Sequence, residues 1–257
     1  MKKINITITG ALGRMGKILI KRVSKNKNLK LFSLTDLKSG KTISGIKIQK
    51  NNMEAFKKTD VIVDFSRPKA SLEVLGYAKK FKKRVIIGTT GFNSKQNNLI
   101  KNYSRKIAIF KSGNMSLGIN LLEYIVRIFS KKIPSNYQIG ISDDHHNKKV
   151  DYPSGTALML ANAISKGKNK NLESIKGKVF LNRSGSLQKN KVNFFVTRKG
   201  NTIGKHSVNF NNKTENIELK HTAFSRDLFA DGALNAAVWI SKKKRGLFNM
   251  RDMLGLK

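Results

Sequence analysis

Ile4-Asn-Ile-Thr-Ile-Thr9, Gly10-Ala-Leu-Gly13-Arg-Met-Gly16 and Lys17-Ile-Leu-Ile-Lys-Arg-Val23 form the stretch on which the fold turns. Isoleucines at 4, 6 and 8 mark a buried strand over residues 3–9, and the apolar spacing after Gly16 is helical through Val23. A glycine turn between a first strand and its helix lets backbone amides and the positive helix end approach a phosphate, because no Cβ intrudes. The spacing is GxxGxxG, with Leu12 where the commoner fingerprint has its second glycine. A purely structural tight turn therefore fits as well as a dinucleotide loop. The context favours the dinucleotide: a second strand, Leu29 to Thr35, ends in Asp36, 20 residues after Gly16. Asp36 suits a ribose 2′-hydroxyl and so NADH, while Lys38 and Lys41 suit the 2′-phosphate of NADPH; the residues leave both open.

Working outward, strands and helices alternate. Val61 to Phe65, a helix around Ala70 to Lys80, Arg84 to Ile87 with Gly88-Thr-Thr-Gly91, a helix near Lys95 to Tyr103, and Ile107 to Phe110 follow in turn. That order implies an α/β class with a parallel sheet covered on both faces, a Rossmann-like dinucleotide-binding domain. After Lys111-Ser-Gly-Asn114 the pattern changes. A long amphipathic segment, Gly118 to Phe129, leads to a strand over Tyr137 to Ser142, a polar loop and a helix over Thr156 to Ser165. Val192 to Thr197, Ile203 to Phe210 and Ile217 to His221 alternate with period two and read as antiparallel hairpins of an inserted α+β domain. The helical tail, Asp231 to Ser241, returns to the first domain.

The chain has 257 residues and a formal net charge of +37, from 52 Lys plus Arg against 15 Asp plus Glu. A basic excess of this size passes a first screen for nucleic-acid binding. Its distribution argues otherwise: the excess is spread along the chain and is made of 41 Lys with only 11 Arg, whereas base and phosphate forks favour Arg. Abundant Asn and Ile accompany the Lys, as a compositional bias would produce. No specific nucleic-acid partner is expected. No run of about 18 apolar residues occurs, and the apolar stretch near the start is interrupted by Asn5, Thr7 and Thr9, so neither a membrane span nor a secretory signal is expected. With no cysteine, disulfides, thiolate metal sites and cysteine nucleophiles are excluded, and the cytoplasm is the expected compartment.

The densest cluster of functional groups is Asp143-Asp-His-His-Asn-Lys-Lys-Val-Asp-Tyr-Pro-Ser-Gly-Thr156. Helix-start amides at Gly155 and Thr156 with the Thr156 hydroxyl can hold a carboxylate or phosphate. His146 and Lys149 add positive charge, and His145 can exchange a proton near neutral pH. A solvated polar loop with a helix cap fits the same spacing. No third ligand stands at a metal-site spacing from the paired histidines, so no metal is expected. His206 and His221, inside alternating strands, read as ordinary hydrogen-bonded sheet residues.

Six stretches resemble the 4-hydroxy-tetrahydrodipicolinate (dihydrodipicolinate) reductase family of the bacterial diaminopimelate and lysine pathway. They are Gly10 to Gly16, Asp64-Phe-Ser-Arg-Pro68, Gly88-Thr-Thr-Gly-Phe92, Gly113-Asn-Met-Ser-Leu-Gly118, His145-His with Lys149-Val-Asp-Tyr-Pro-Ser-Gly-Thr-Ala157, and Gly246-Leu-Phe-Asn-Met-Arg-Asp252. The stretch from the paired histidines to Ser-Gly-Thr is specific to that family. The resemblance implies a dinucleotide-binding domain from residues 1–116 and 226–257, and a substrate-binding and tetramerisation domain from 117–225. It implies NADH or NADPH as cofactor, held by Gly10, Ala11, Leu12, Gly13, Arg14, Met15 and Asp36, with Gly88, Thr89, Thr90, Ser112, Gly113, Asn114 and Met115 on the nicotinamide side. It also implies His145 and Lys149 as the catalytic pair, and His146, Gly155 and Thr156 as binders of a small dicarboxylate substrate, in a homotetramer. The implied reaction reduces (2S,4S)-4-hydroxy-2,3,4,5-tetrahydrodipicolinate to tetrahydrodipicolinate with loss of water. Tyr152 departs from the family's usual Ala, Asp143 from a Glu and Lys205 from a Glu, and the stretch after Arg183 is shortened. Tyr152 is expected to crowd the loop before Pro153.

A chain of this charge must fold against self-repulsion, so salt should stabilise it by screening. Tm measured by thermal unfolding is expected to rise as salt increases from about 10 mM to about 0.5 M, over which the Debye length falls several-fold. A flat or falling Tm would count against a dispersed charge.

Overall fold

Aliphatic strands that lack an exposed face force a sheet with helices on both sides, and the first part of the chain builds one. The structure, a computed structural model, describes residues 2–256; Met1 and Lys257, at the outer ends of the expected first domain, lie outside the described residues. In chain order the elements are β1 (Ile4–Thr9), α1 (Arg14–Val23), β2 (Leu29–Thr35), β3 (Thr42–Ile43), β4 (Ile46–Lys47), α2 (Met53–Lys57), β5 (Val61–Asp64), α3 (Pro68–Lys80), β6 (Arg84–Ile87), α4 (Ser94–Ser104) and β7 (Ala108–Lys111). They continue with α5 (Leu117–Lys132), β8 (Gln138–His145), α6 (Gly155–Gly167), α7 (Leu172–Ile175), β9 (Lys176–Leu181), β10 (Val192–Arg198), β11 (Gly204–Asn211) and β12 (Asn216–Ala223). The chain closes with α8 (Asp227–Ile240), β13 (Gly246–Phe248) and α9 (Met250–Leu254). It divides into two compact units, Met1–Ser116 with Arg226–Lys257, and Leu117–Ser225.

The first unit carries a six-stranded sheet in the order β13-β7-β6-β5-β1-β2, with every pairing parallel. Ile6, Ile8, Val61 to Val63, Val85 to Ile87 and Ala108 to Phe110 are buried. Val74, Leu75 and Ala78 of α3 and Ile100 of α4 pack with Ile62, Val85, Ile87 and Ile109 in one core cluster. Each fully buried aliphatic side chain of this kind contributes about 1.5–3 kcal/mol relative to exposure. The helix α1 packs on α8, and the Arg22 guanidinium forks onto both carboxylate oxygens of Asp231 at 2.7 and 2.8 Å. The tail also supplies the parallel edge strand β13 beside β7, where the sequence suggested only a helix. Because β1 lies between β2 and β5, the connections leave it in opposite directions, and a crevice opens at the carboxyl ends of the strands.

The second unit has a five-stranded sheet in the order β12-β11-β8-β10-β9. The helices α5 and α6 pack on each other, and both contribute to a core with Ile139, Ile141, Phe194, Val208 and Phe210. One expectation fails here. The segments 192–197 and 203–210 were expected to form an antiparallel hairpin, but β10 and β11 flank β8, parallel and antiparallel to it respectively. Period-two alternation reports which face of a strand is buried and carries no information about its neighbour. The β11–β12 pair is an antiparallel hairpin as expected. The connection from β10 to β11 therefore crosses the end of β8, and it is tied there: Lys199 N donates to His145 O (3.0 Å), His146 N to Thr202 O (2.8 Å) and Asn147 N to Gly200 O (3.2 Å).

The glycine turn after β1 is sterically obligatory at two positions. Gly10 has φ +74°, and a Cβ on Gly16 would lie 2.2 Å from Gly10 O and 2.7 Å from Ala11 Cα. Backbone cannot yield as a flexible side chain can, so Gly16→Ala is expected to cost about 1–3 kcal/mol, an overpacking penalty read as a lower Tm. An unchanged Tm would mean that the backbone at Gly10 and Ala11 can give way to a Cβ.

Candidate active site

The inward face of β8 carries Ile139, Ile141, Asp143 and His145 in alternation, so an apolar stripe ends in a carboxylate and an imidazole. The strand runs three residues further than Ser142, its expected end, which places both groups on rigid sheet. Asp143 is fully buried, with polar groups close to both its oxygens. Oδ2 accepts from Ser154 N (2.7 Å) and Arg198 Nη2 (3.0 Å). Oδ1 lies 3.0 Å from His145 Nδ1 and 3.2 Å from His206 Nε2. Sheet register explains the convergence: Arg198 pairs with His145 across β10–β8, and His206 pairs with Asp143 across β11–β8. The two imidazole rings meet edge to face with centroids 5.0 Å apart.

Burial alone pushes the Asp143 carboxyl up, but the adjacent imidazoles of His145 and His206 and the Ser154 N–H outweigh it and hold the group well below the usual carboxylate range. Burial pushes His206 down, against the opposing pull of Asp143. Arg198 also donates from Nη1 to Asp143 O (2.7 Å) and from Nη2 to Asp151 O (2.9 Å), stapling the following loop to the strand. Asp143 Oδ1, His145 Nδ1 and His206 Nε2 lie within 4.8 Å of one another, a donor set of the kind that holds a cation. The Arg198 guanidinium on the same carboxylate already supplies positive charge there.

The loop then delivers the helix α6. Ser154 caps it by accepting from Ala157 N (3.2 Å), while the Ser154 hydroxyl also lies 3.2 Å from His206 Nε2. A Cβ on Gly155 would meet nothing within 4 Å, so the helix start is open on that side. Lys149 Nζ is held by both carboxylate oxygens of Asp151 at 2.8 Å. Partial burial pushes Asp151 up, but the Lys149 ammonium holds it below the usual range. Tyr152, expected to crowd this loop, is half exposed. Lys205 is answered by its cross-strand partner Asp144 at 3.9 Å.

In the first unit, the carboxyl ends of β1, β2, β5, β6 and β7 deliver Gly10, Asp36, Asp64, Gly88 and Ser112 along one edge of the sheet. A cleft of about 520 Å³ lies there, lined by Gly10, Leu12, Gly13 and Asp36 among the expected cofactor residues, with Phe65, Ser66 and Arg67 added. Ala11 is buried, Arg14 is exposed and Met15 is half-buried; none of them lines the cleft, and nor do Gly88 to Thr90 or Ser112 to Met115. Asp36 Oδ2 accepts from Leu12 N (2.9 Å) and Oδ1 from Leu37 N (2.8 Å), which fixes its carboxylate beside the glycine turn. No side chain caps α1 at Gly13. An uncapped helix start, next to a turn whose backbone a Cβ would obstruct, fits a pyrophosphate.

Sequence reasoning missed Asp64, which sits at the base of this edge. It is fully buried and accepts from the hydroxyls of Thr9 (2.5 Å), Ser66 (2.5 Å), Thr89 (2.9 Å) and Ser71. Burial raises its pKa against those four donors. Ser66 N donates in turn to the Thr89 hydroxyl at 2.9 Å, so the loops after β5 and β6 share one anchor. On the Ser112 loop, the Ser112 hydroxyl donates to Asn114 O (2.7 Å) and Ser116 N to Asn114 Oδ1 (2.9 Å).

Comparison with known proteins agrees along the whole chain. The family model described as dihydrodipicolinate reductase, N-terminus, matches residues 4–115, and the one described as dihydrodipicolinate reductase, C-terminus, matches residues 118–254. The chain is 52% identical to a 4-hydroxy-tetrahydrodipicolinate reductase of Pelagibacter ubique (strain HTCC1062), over 100% of both chains. It is 45% identical to that of Buchnera aphidicola subsp. Cinara cedri, covering 98% of this chain and 97% of the other. The fold resembles that of a dipicolinate-bound dihydrodipicolinate reductase from Paenisporosarcina sp. TG-14, with TM-score 0.79 and 22% identity over 96% of this chain and 98% of that one.

The depressed pKa of Asp143 gives a signed prediction for stability. A carboxylate whose folded pKa lies below its unfolded value contributes stability above the unfolded pKa, about 4, and loses it as pH falls toward the folded value. The Tm difference between wild type and Asp143→Asn is therefore expected to be constant near neutral pH and to shrink below about pH 4. A difference that widens on acidification would contradict the network.

Proposed function

We propose roles for the residues of this chain, which belongs to the dihydrodipicolinate reductase family and carries out nicotinamide-dependent reduction of (2S,4S)-4-hydroxy-2,3,4,5-tetrahydrodipicolinate to tetrahydrodipicolinate, with loss of water, in lysine and diaminopimelate biosynthesis. The observation that carries the assignment is His145 at the end of β8, beside the open start of α6, with Lys149 on the loop between them. The substrate is a dianion. The amides of Gly155 and Thr156, at the positive end of a 13-residue helix, bind one carboxylate, and His146 adds a further donor. Lys149 exchanges Asp151 for the substrate. An exposed ion pair is worth about 0–1 kcal/mol, so a well-placed substrate carboxylate displaces Asp151 at little cost. His145 gives the proton that balances the negative charge developing on the ring, with Lys149 as electrostatic support.

In the first unit, Gly10 to Met15 cradle the pyrophosphate, Asp36 binds the adenosine ribose, and Gly88 to Thr90 with Ser112 to Met115 hold the nicotinamide amide. The reduced nicotinamide, when bound, supplies the hydride. Asp36, held by two backbone amides, favours NADH; Lys38, Lys41 and the cleft residue Lys50 keep NADPH usable. We further propose a cytoplasmic homotetramer. Leu121, Ile125 and Ile128 of α5 are 41%, 48% and 43% exposed along one helical stripe, a surface suited to contact with another copy.

The test is oxidation of NADH or NADPH with a dihydrodipicolinate synthase generating the substrate. His145→Ala and Lys149→Ala are each expected to lower kcat by about 10²-fold or more, the range for loss of a positioned acid or of electrostatic stabilisation. Near wild-type turnover in both would overturn the assignment of roles.

A further inference from the structure

Asp143 contacts both His145 and the residue that caps α6, yet no role has been given to Asp143 itself. Its Oδ1 faces the Nδ1 of His145, and its Oδ2 takes the backbone N–H of Ser154, the residue that caps α6 immediately before Gly155 and Thr156. The proton donor and the anion cradle thus hang from the two oxygens of one carboxylate. We propose that Asp143 is the positioning residue of this site: it turns the imidazole of His145 so that Nε2 is presented for proton transfer, and it fixes the start of α6 at the same time. The inference rests on the roles assigned above to His145, Gly155 and Thr156.

Two further observations support it. Gly204 lies against the other side of the ring: a Cβ there would be 3.2 Å from His145 Nε2, so glycine is what leaves that nitrogen uncovered. Arg198 and His206 make the arrangement rigid. Arg198 holds Asp143 through both its side chain and its carbonyl, and reaches Asp151 O across the loop. His206 bridges Asp143 Oδ1 and the Ser154 hydroxyl, each at 3.2 Å. The charged groups around His145 are Asp143 and Asp144 on β8, Arg198 on β10, Lys205 and His206 on β11, and the Lys149–Asp151 pair on the loop. Of these, Asp143 is the one in contact with the His145 ring nitrogen. Poor alignment accompanies the short distances, since neither Asp143 Oδ1 nor His145 Nδ1 completes a hydrogen bond of good geometry. Catalytic hydrogen bonds are often loose in a ligand-free site and tighten when substrate is bound.

A residue that acts only through another loses its effect once the other is gone, so a double-mutant cycle separates positioning from general structural damage. In the coupled assay, Asp143→Asn is expected to lower kcat by about 10²-fold alone, but by less than about 3-fold in a His145→Ala background. The rise in substrate KM, which comes from the loosened start of α6, is expected to persist in both backgrounds. Asp143→Glu, which keeps the charge, is expected to recover most of kcat. NADH binding, followed by its fluorescence, is expected to stay within about twofold of wild type, since Asp143 lies outside the dinucleotide-binding unit. If kcat losses multiply through the cycle, or if Asp143→Asn turns over at the wild-type rate, the proposal is overturned. If His145→Ala alone turns over at the wild-type rate, the roles beneath it fail instead. Should Asp143→Asn not fold, ¹⁵N spectra of the wild-type protein decide: His145 as the Nδ1–H tautomer supports the proposal, and as the Nε2–H tautomer overturns it.

Discussion

A carboxylate taken fully out of water must be met by donors on both oxygens, and each unit of this chain is arranged around one such group. In the first unit, Asp64 closes β5 and collects hydroxyls from the end of β1, from the loop after β5, from α3 and from the loop after β6. These elements are far apart in sequence, and the acid makes their carboxyl ends a single surface. In the second, Asp143 collects Arg198, His206, His145 and Ser154 from two flanking strands, its own strand and a helix start. Removal of either would strand several buried donors at once, which is costlier than losing one hydrogen bond. The shape of both functional surfaces follows from satisfying these two groups.

The two carboxylates differ in what balances them, and the difference follows the chemistry near each. Asp64 is met by neutral hydroxyls only, and burial prevails, so its pKa is raised. Asp143 has a guanidinium and two imidazoles, and its pKa is depressed. Hydroxyls satisfy Asp64 without bringing a second formal charge to the carboxyl edge of the sheet. The anion of Asp143, by contrast, sits directly against the imidazole that we propose it orients. With 15 acidic residues against 52 basic ones, such anions are scarce in this chain, and several more are engaged: Asp36 with two amides, Asp231 with Arg22, Asp144 with Lys205, Asp151 with Lys149. Most of the lysines are dispersed along the chain, and these acids fix the few that are placed specifically, Lys149 and Lys205 among them.

That asymmetry also explains what was legible in the sequence. The Rossmann-like sheet could be read because its strands are continuous aliphatic runs and its first turn is glycine-rich, both local signals. The cluster from His145 to Thr156 stood out because paired histidines, a lysine and a helix cap lie within one short loop. Asp143, Arg198 and His206 belong together for reasons that no local pattern carries. Arg198 simply ends an alternating strand, and His206 occupies an inward position of β11 in line with Val208 and Phe210. Their meeting depends on β8 lying between β10 and β11, and the same missing knowledge turned those two strands into a supposed hairpin. Sheet order is a tertiary property, set by which aliphatic faces pack on α5 and α6. One signal did exist. On β8 the buried face runs Ile139, Ile141, Asp143, His145, and on β11 it runs His206, Val208, Phe210; a polar group on an otherwise apolar stripe must have a partner, and each of these stripes ends where the other supplies one.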